Sequence, residues 1–587
     1  MISLALILCL GAFLRLYHVS DWLHFEIDQA RDARVIDLAV NDGPGSLPLL
    51  GPRAGGTFLR LGPGFYYLEY VSAMVFGNTP GGRVALIALL SIASILVFYA
   101  FIRRYLPFRI ALGLTLLFSV SAFLVLYGRF SWNPNPLPFF MLFGMYALLR
   151  AVDTSDAHRG RWLAGSAFLL GFATHLHFLA FVSLPIIVGA FLLMKRPRFS
   201  LKVWLAAIAI VIALYVPMIL NETITGGANT QEFLQAVQGK SNKSDHTFAE
   251  QLVRNTTNHA LGYWLILTGH EESAMGQFAS KGNFDFELTC SDECHTHFAS
   301  ALTALLLFVS GIVLLFHAWW METQVRKKDF LSLSMLWLGA CFALFLPLSY
   351  DFSPRFFLLV TPFPFLFLGL IFAEIRRYIG RYSVMATRVL WLGLLLFIVS
   401  NTFFVTQRLR ELERASFENV AIVPDRILKE KARVTLEQQE QVVSYMQSFQ
   451  TKNGYPIYMF SEPEYRRGLK YLMERRGMQN DVVGFSGGVY AEGNYFLVFR
   501  TGSGHTEMLN AKYSSVYDVI DRKAFGTLTI IQLQPKTGAV TGKRQVFEAK
   551  ASSSASAPGV PERYTWSEWW NHQGGSADDE PVDEEGE

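Results

Sequence analysis

The run Val84-Ala-Leu-Ile-Ala-Leu-Leu-Ser-Ile-Ala-Ser-Ile-Leu-Val-Phe-Tyr-Ala-Phe-Ile102, closed at once by Arg103-Arg104, decides the fold class. An uncharged apolar stretch of this length matches a hydrocarbon layer ~30 Å thick, which a helix crosses in ~20 residues. By that criterion about eleven such stretches lie between Met1 and Gln407. The composition agrees, because 51% of the 587 residues are hydrophobic and only 17% are charged, where a soluble domain carries about a quarter. Mean hydropathy is +0.28. The chain therefore reads as an α-helical polytopic membrane protein. A net charge of +3, with the cations in short loops rather than on one basic face, argues against a nucleic-acid partner. The apolar start runs into Arg15 without a small-residue cleavage site, so a retained first span is expected rather than a cleaved signal peptide.

Lys and Arg near span ends tend to stay on the cytoplasmic side, and here every second loop is basic. The clusters are Arg103-Arg104 with Arg109, His158-Arg159-Gly160-Arg161, Lys195-Arg196-Pro197-Arg198, Arg326-Lys327-Lys328, and Arg376-Arg377 through Arg381. The loops between them are assigned outward: residues 20–80, the Arg129–Asn135 turn, His175-Leu176-His177, the long loop 221–298, and Tyr350–Arg355. From 408 the composition turns soluble, with helical periodicity in Leu436–Gln450 and Pro463–Arg476 alternating with strand-like runs at Pro456–Phe460, Tyr495–Arg500 and Leu528–Leu533. The expected layout is a membrane domain over 1–407, a small extracytoplasmic α/β domain over 408–548, and a disordered acidic tail over 549–587 with Trp566, Trp569 and Trp570 as a docking point.

Ionisable residues held at a membrane are costly, which makes them functional candidates. The first outer loop concentrates them in Phe25-Glu-Ile-Asp28-Gln-Ala-Arg31-Asp32-Ala-Arg34. Asp28, Asp32 and Ile36 fall at helical spacing, with Arg31 and Arg34 on an adjacent strip. A carboxylate beside guanidinium groups suits transfer between an acceptor hydroxyl and a phosphate-bearing lipid, the carboxylate accepting the proton and the arginines holding the phosphate. The alternative is an interfacial amphipathic helix whose charges face water. Arg60-Leu-Gly-Pro-Gly-Phe-Tyr66-Tyr67 places a cation and an aromatic face at headgroup depth, where an aromatic belt is the commoner explanation. Asn133 and Asn135 can orient a sugar or acceptor through their amides, although Asn-Pro is also an ordinary helix-entry turn. His175 and His177 diverge by about 200° on a helix and share a side only in an extended turn. Asp292, Glu293, His295 and His297 match no compact zinc spacing, so a divalent metal is not indicated. Cys290 and Cys294 are candidates for a bridge in an oxidising compartment. Cys9 and Cys341 read as apolar span residues.

Three segments placed on the face of Asp28, Arg129-Phe-Ser-Trp-Asn-Pro-Asn-Pro, Thr174-His-Leu-His-Phe and Ser353-Pro-Arg-Phe-Phe, complete an order of motifs over about residues 1–407. That order resembles the GT-C class of integral-membrane glycosyltransferases, particularly the protein O-mannosyltransferase-like family 39 and the lipid A aminoarabinose and core galacturonic acid transferases. The resemblance implies a sugar donor linked to polyprenyl phosphate, an acceptor hydroxyl on protein, lipid A or glycan, and location in the cell (inner) membrane. Asp28-Gln29-Ala30-Arg31 stands where relatives carry an Asp-Glu-x-Arg-type motif, which implies Asp28 as catalytic base. Arg31, Arg60 and Arg355 are implied as donor-phosphate ligands, with Asn133, Asn135, His175, His177 and Tyr66 on the sugar or acceptor side. Gln29 replaces the usual acidic partner, and Ser131-Trp132-Asn133 stands where several relatives carry an Asp, so a two-carboxylate or metal-bridged mechanism is not expected. No cofactor is implied, and no Gly-rich nucleotide loop is present. The competing readings are a lipid-linked glycan flippase or exporter and a diphosphate-dependent polymerase or ligase. Against transport stand the lack of an evident internal repeat and the placement of charge outside the spans.

Overall fold

In hydrocarbon every backbone N–H and C=O must be satisfied within its own segment, so the apolar runs become helices. The computed structural model describes residues 2–54, 59–241, 246–270, 277–282, 285–289, 292–378, 383–422, 425, 427–482, 488–503, 513–543 and 563–571. The helices before the soluble part are α1 (Ile2–Leu16), α2 (Ile27–Asp42), α3 (Gly64–Phe76), α4 (Pro80–Ile102), α5 (Phe108–Val120), α6 (Ala122–Tyr127), α7 (Leu137–Val152) and α8 (Arg159–Ala173). They continue with α9 (Phe178–Lys195), α10 (Leu201–Thr225), α11 (Ala228–Ser241), α12 (Phe248–Thr268), α13 (Asp292–Met321), α14 (Val325–Phe345), α15 (Pro362–Tyr378) and α16 (Ser383–Ala415). The chain is an integral membrane protein. Among the described residues six helices are long and apolar enough to cross a membrane, and Pro354–Val360 with Pro362–Ile375, bent by 59°, makes a seventh. Helices α1, α5 and α7 are apolar but shorter.

The α5–α6 break shows how a shorter segment is kept satisfied. The helix stops at Ser121, whose hydroxyl donates to the Ile266 carbonyl at 2.7 Å. Asn401 of α16 accepts from Ala122 N at 2.8 Å and donates to the Leu267 carbonyl at 2.6 Å, so one amide covers the backbone groups freed at two helix ends.

The stretch 221–298, read from sequence as a long loop, is corrected by the structure: α11 and α12 lie inside it, and β1 (Gln277–Gly282) pairs with β2 (Asp285–Thr289) as a hairpin. A Thr247/Glu250 capping box starts α12, and its Ala260, Tyr263 and Ile266 are fully buried against the bundle. The sequence signal was weak because Asn255, Thr257 and His259 are buried on the same helix. Cys290 lies outside the described residues, as do the side chains of Asp292, Glu293, Cys294, His295 and His297.

Helix α16 runs past 407 to Ala415 and so enters the soluble domain without a break. There α17 (Leu436–Asn453), β3 (Ile457–Ser461), α18 (Pro463–Arg475), β4 (Asn480–Val482), β5 (Asn494–Arg500), β6 (Tyr517–Phe525) and β7 (Leu528–Pro535) form an α/β unit. The sheet order is β4-β3-β5-β7-β6, with β3 parallel to β4 and β5, and β7 antiparallel to β5 and β6. Of the tail expected to be unfolded from 549, residues 563–571 contain α19 (Trp566–Trp570), and the remainder lies outside the described residues. A Thr565/Glu568 capping box starts that turn.

The soluble domain sits on the first loop. Gln439 of α17 donates to the Phe25 carbonyl at 2.9 Å, Leu436 N donates to the Leu23 carbonyl at 3.1 Å, and Arg34 of α2 pairs with Glu474 of α18 at 3.0 Å. Arg83, 2% exposed, reaches Asp37 at 3.0 Å and the Tyr471 hydroxyl at 2.8 Å. Beneath this seam lies a buried charge network: Arg408 meets Asp425 (3.1 Å) and Glu430 (2.7 Å), and Arg433 meets Asp425 (2.5 Å), Glu430 (2.6 Å) and Glu411 (3.0 Å). His24 joins it through Glu430 at 2.9 Å and Glu26 at 3.7 Å. Burial lowers the proton affinity of His24, but Glu26 and the bond to Glu430 outweigh it and raise its pKa to about 9. Burial raises Glu26 to about 7, with His24 opposing.

These shifts carry a sign. A group whose pKa is raised on folding contributes stability that is present below its unfolded value and lost as pH rises through the folded one. For His24 that loss spans the interval from its ordinary 6.5 up to about 9. The thermal midpoint of the purified protein should therefore fall between pH 6.5 and 9, and His24→Gln should start lower and flatten that fall.

Candidate active site

Helix α2 exists because Glu26 and Gln29 form a capping box at its start. It buries Ala30, Ala33, Ile36 and Ala39 on one side. That leaves Asp28 and Arg31, three residues apart, as neighbours on another. Arg31 Nη1 donates to Asp28 Oδ1 at 2.8 Å, and its Nε donates to Asp32 Oδ1 at 2.9 Å. Asp32 is fully buried, whereas the Asp28 side chain remains 36% exposed. The second oxygen of Asp28 accepts from Trp132 Nε1 at 2.9 Å. Over the Trp132 ring lies the Arg355 guanidinium, 4.9 Å from the centroid, with its Nε buried and lacking a hydrogen-bond partner among the described residues. Asp28, Arg31, Trp132 and Arg355 thus form one constellation from three separate segments.

The turn 129–135 is built to hold Trp132. Arg129 donates to the Leu14 and Tyr17 carbonyls at 2.9 and 2.7 Å, capping the end of α1. Asn135 closes the turn onto the Phe130 carbonyl at 2.8 Å, and Asn133 ties it to the Leu176 carbonyl at 2.7 Å. Ser131 donates to Glu69 of α3 at 2.6 Å. Burial, then the charge of Asp32, raises the Glu69 carboxyl to about 8, against the opposing Ser131 bond and the Arg83 and Arg31 charges.

The neighbouring turn carries the two histidines. His177 Nδ1 accepts from Leu179 N at 3.1 Å and caps α9, and its ring meets Phe356 edge-on at 5.7 Å, next to Arg355. His175 is 2% exposed, stacks on Phe172 and meets Tyr215 edge-on, and neither ring nitrogen has a hydrogen-bond partner among the described residues. Burial lowers its pKa to about 4, so it is neutral. The ring is pressed against the Gly-Pro-Gly turn: a Cβ on Gly62 would stand 2.4 Å from it and one on Gly64 3.1 Å from its Cβ. Only glycine allows that approach.

Of the residues singled out from sequence, Asp28, Arg31 and Arg355 come together. Asn133 and His177 border them, and Asn135 serves its own turn. Arg60 is not among them and forms an antiparallel bridge with Arg53. Its N–H and carbonyl are both held by Asn229, at 2.7 and 3.1 Å, and Nη1 donates to the Gly51 carbonyl at 3.2 Å. Tyr66 is fully buried at the start of α3. Sequence reasoning missed Trp132 and Glu69. An aromatic and a Ser inside a Pro-rich turn following an Arg was the available signal for the first, and a lone Glu in an aromatic helix for the second. Among the described residues no three His, Cys, Asp or Glu side chains are grouped as metal ligands would be.

Residues 61–220 match the family model described as dolichyl-phosphate-mannose-protein mannosyltransferase, a glycosyltransferase-type family. No curated protein sequence matches. Solved structures align over most of the chain at low identity. ArnT from Cupriavidus metallidurans, in the apo state, is 12% identical over 90% of this chain and 97% of its own, with a TM-score of 0.47. The same protein bound to undecaprenyl phosphate gives the same identity and coverage with a TM-score of 0.49. Archaeal oligosaccharyltransferase AglB from Archaeoglobus fulgidus, in complex with an inhibitory peptide and a dolichol-phosphate, is 12% identical over 85% of this chain and 69% of its own, with a TM-score of 0.47.

The glycine contact yields a direct check. Gly62→Ala should overpack the turn and lower stability by about 1–3 kcal/mol. Adding His175→Ala should recover most of that loss in thermal denaturation, whereas two additive losses would disprove the contact.

Proposed function

We propose that this protein is a membrane glycosyltransferase that moves a sugar from a polyprenyl-phosphate-linked donor to an acceptor hydroxyl on the extracytoplasmic side, with inversion and with Asp28 as base. The observation that carries the reading is Asp28 itself, a partly exposed carboxylate with one oxygen fixed by Arg31 and the other by Trp132. The family match over 61–220 supports the same class, since its description names a sugar carried on a lipid phosphate.

Each oxygen of a carboxylate keeps a second lone pair when it accepts one hydrogen bond. One of these lone pairs takes the acceptor hydroxyl proton as the acceptor oxygen attacks the anomeric carbon. The bond from that carbon to the phosphate oxygen breaks on the opposite side, which inverts the centre. The polyprenyl monophosphate leaves with one more negative charge, and Arg31 and Arg355, already oriented by Asp32 and by the Trp132 face, meet it. Preorganised cations cost no reorganisation at that moment, and such interactions supply several kcal/mol. Asn133 and His177 border the space where sugar and acceptor meet. Hexose or pentose donor, and protein, lipid A or glycan acceptor, all fit this chemistry. The alternating basic loops support an outward position for the soluble domain of a protein integral to the cell (inner) membrane. We assign no step to a cofactor.

The test is release of polyprenyl phosphate by purified wild type and Asp28→Asn protein from a panel of polyprenyl-monophosphate sugars, with and without chelator. Wild type should turn over and Asp28→Asn should lose about 100-fold or more. Equal release by both would remove Asp28 from the mechanism. Turnover with diphosphate-linked donors alone would favour the polymerase or ligase reading.

A further inference from the structure

We propose that Phe357 is a positioning residue for sugar transfer: seated in a glycine notch of α12, it sets where the neighbouring Arg355 stands over Trp132. The inference rests on the reading of Arg355 as a partner of the leaving phosphate, and it adds what holds that arginine in place.

Arg355 has little polar anchorage of its own. Among the described residues its buried Nε has no hydrogen-bond partner, and its guanidinium lies 4.9 Å from the centre of the Trp132 ring and 5.9 Å from that of Phe356. It belongs to the 3-10 turn Pro354–Val360, whose start no side chain caps. Such a turn has poorer hydrogen-bond geometry than an α-helix, so its place depends on what packs against it. With three residues per revolution, Arg355, Phe356 and Phe357 leave the turn in three directions. Phe356 meets His177 edge-on at 5.7 Å and Phe345 at 5.9 Å. Phe357 goes to α12.

On α12, His259 and Tyr263 are four residues apart and share a face. The Phe357 ring meets both edge-on, at 5.8 and 6.1 Å. Beside them is Gly262, where a Cβ would overlap the Phe357 ring. Glycine inside a helix is destabilising relative to alanine. Gly262 lies within α12 and has no positive φ, so the approach of that ring is what the glycine serves. Phe352 packs the ring from 4.9 Å, and Phe357 is buried, which leaves it little room to shift. The notch is itself fixed: Asn258 donates to the Ser349 carbonyl at 2.7 Å and Asn255 to the Phe342 carbonyl at 2.9 Å, tying α12 to the segment that leads into the turn. At the other end of the turn, Trp337 Nε1 donates to the Leu359 carbonyl at 2.9 Å. The turn is thus tied near both ends and seated at its middle, so a displacement of Phe357 is passed to Arg355 two residues away.

The test uses the full chain in nanodiscs, with Gly262→Ala, Phe357→Leu and the two together, each in the wild-type and the Arg355→Ala background. Gly262→Ala should slow single-turnover sugar transfer about tenfold or more, because a misplacement near 1 Å is enough for such a loss. The pair should recover most of it, since leucine is shorter than phenylalanine. In the Arg355→Ala background the effect of Gly262→Ala should largely vanish. Equal losses in the two backgrounds would mean that the contact acts on the fold alone; they overturn the proposal and leave the glycosyltransferase reading standing. Melting curves verify folding, and Phe357→Leu carries the same comparison if Gly262→Ala does not fold. A second measurement needs no turnover: labelling of Arg355→Cys by a water-soluble thiol reagent, followed by peptide mass spectrometry, should speed up severalfold when Gly262→Ala is added and slow again with Phe357→Leu. An unchanged labelling rate overturns the seat. Changed labelling without transfer by wild type from any donor would keep the contact but overturn the glycosyltransferase reading, and with it the role of Phe357 in transfer.

Discussion

A carboxylate at the edge of a bilayer must have its charge met by fixed partners or it becomes too costly to keep. Asp28 is met by Arg31 from its own helix and by the Trp132 indole from a turn 104 residues away. Trp132 in turn supports Arg355 on its face. If that indole were displaced, the carboxylate would lose a donor and Arg355 its platform. Much of the surrounding architecture keeps Trp132 in place: Arg129 against the end of α1, Asn135 within the turn, Asn133 toward the histidine turn and Ser131 on Glu69.

The same economy governs the soluble domain. Helix α2, which presents Asp28 and Arg31, is gripped by α18 through the Arg34–Glu474 pair and at its entrance by bonds from α17 to the Phe25 and Leu23 carbonyls. The His24, Glu26 and Glu430 cluster lies at that entrance, two residues before Asp28. Ion pairs so deeply buried add little net stability, because desolvation offsets attraction, but removing one member leaves the others uncompensated and is strongly disruptive. The cluster therefore fixes the register of the domain on the membrane part more than it strengthens the attachment, and through α2 it reaches the site.

Legibility in the sequence followed the range of the interaction. Local periodicity placed α17, α18, β3, β5 and β7 close to their ends, and helical spacing put Asp28 and Arg31 on adjacent strips of one helix. The apolar runs identified the membrane class, while α5, α7 and α8 are shorter than a simple span count expects because Ser121 and the turns at 129–135 and 174–177 interrupt them. The Trp132 contact with Asp28 and the stacking of Arg355 had no local signal, since each joins segments far apart in the chain. The segment 563–571 was illegible for a different reason. It is held by backbone bonds to Leu47 and Leu49, by the Tyr564 N–H on the Asn221 side chain and by the Trp566 indole on the Tyr67 hydroxyl, none of which a count of apolar residues registers. Helix α12 was hidden by buried Asn, Thr and His side chains: Asn255 donates to the Phe342 carbonyl of α14, and Thr257 and His259 bond to carbonyls one turn back in α12 itself.

The central claim is that Trp132 acts through Asp28, and a double-mutant cycle in the single-turnover rate of sugar transfer measures that coupling directly. Trp132→Phe keeps a ring under Arg355 but removes the indole N–H, and Asp28→Asn removes the carboxylate. The account predicts that Trp132→Phe slows transfer strongly in the wild-type background and little once Asp28 is already Asn. Equal losses in the two backgrounds would contradict it.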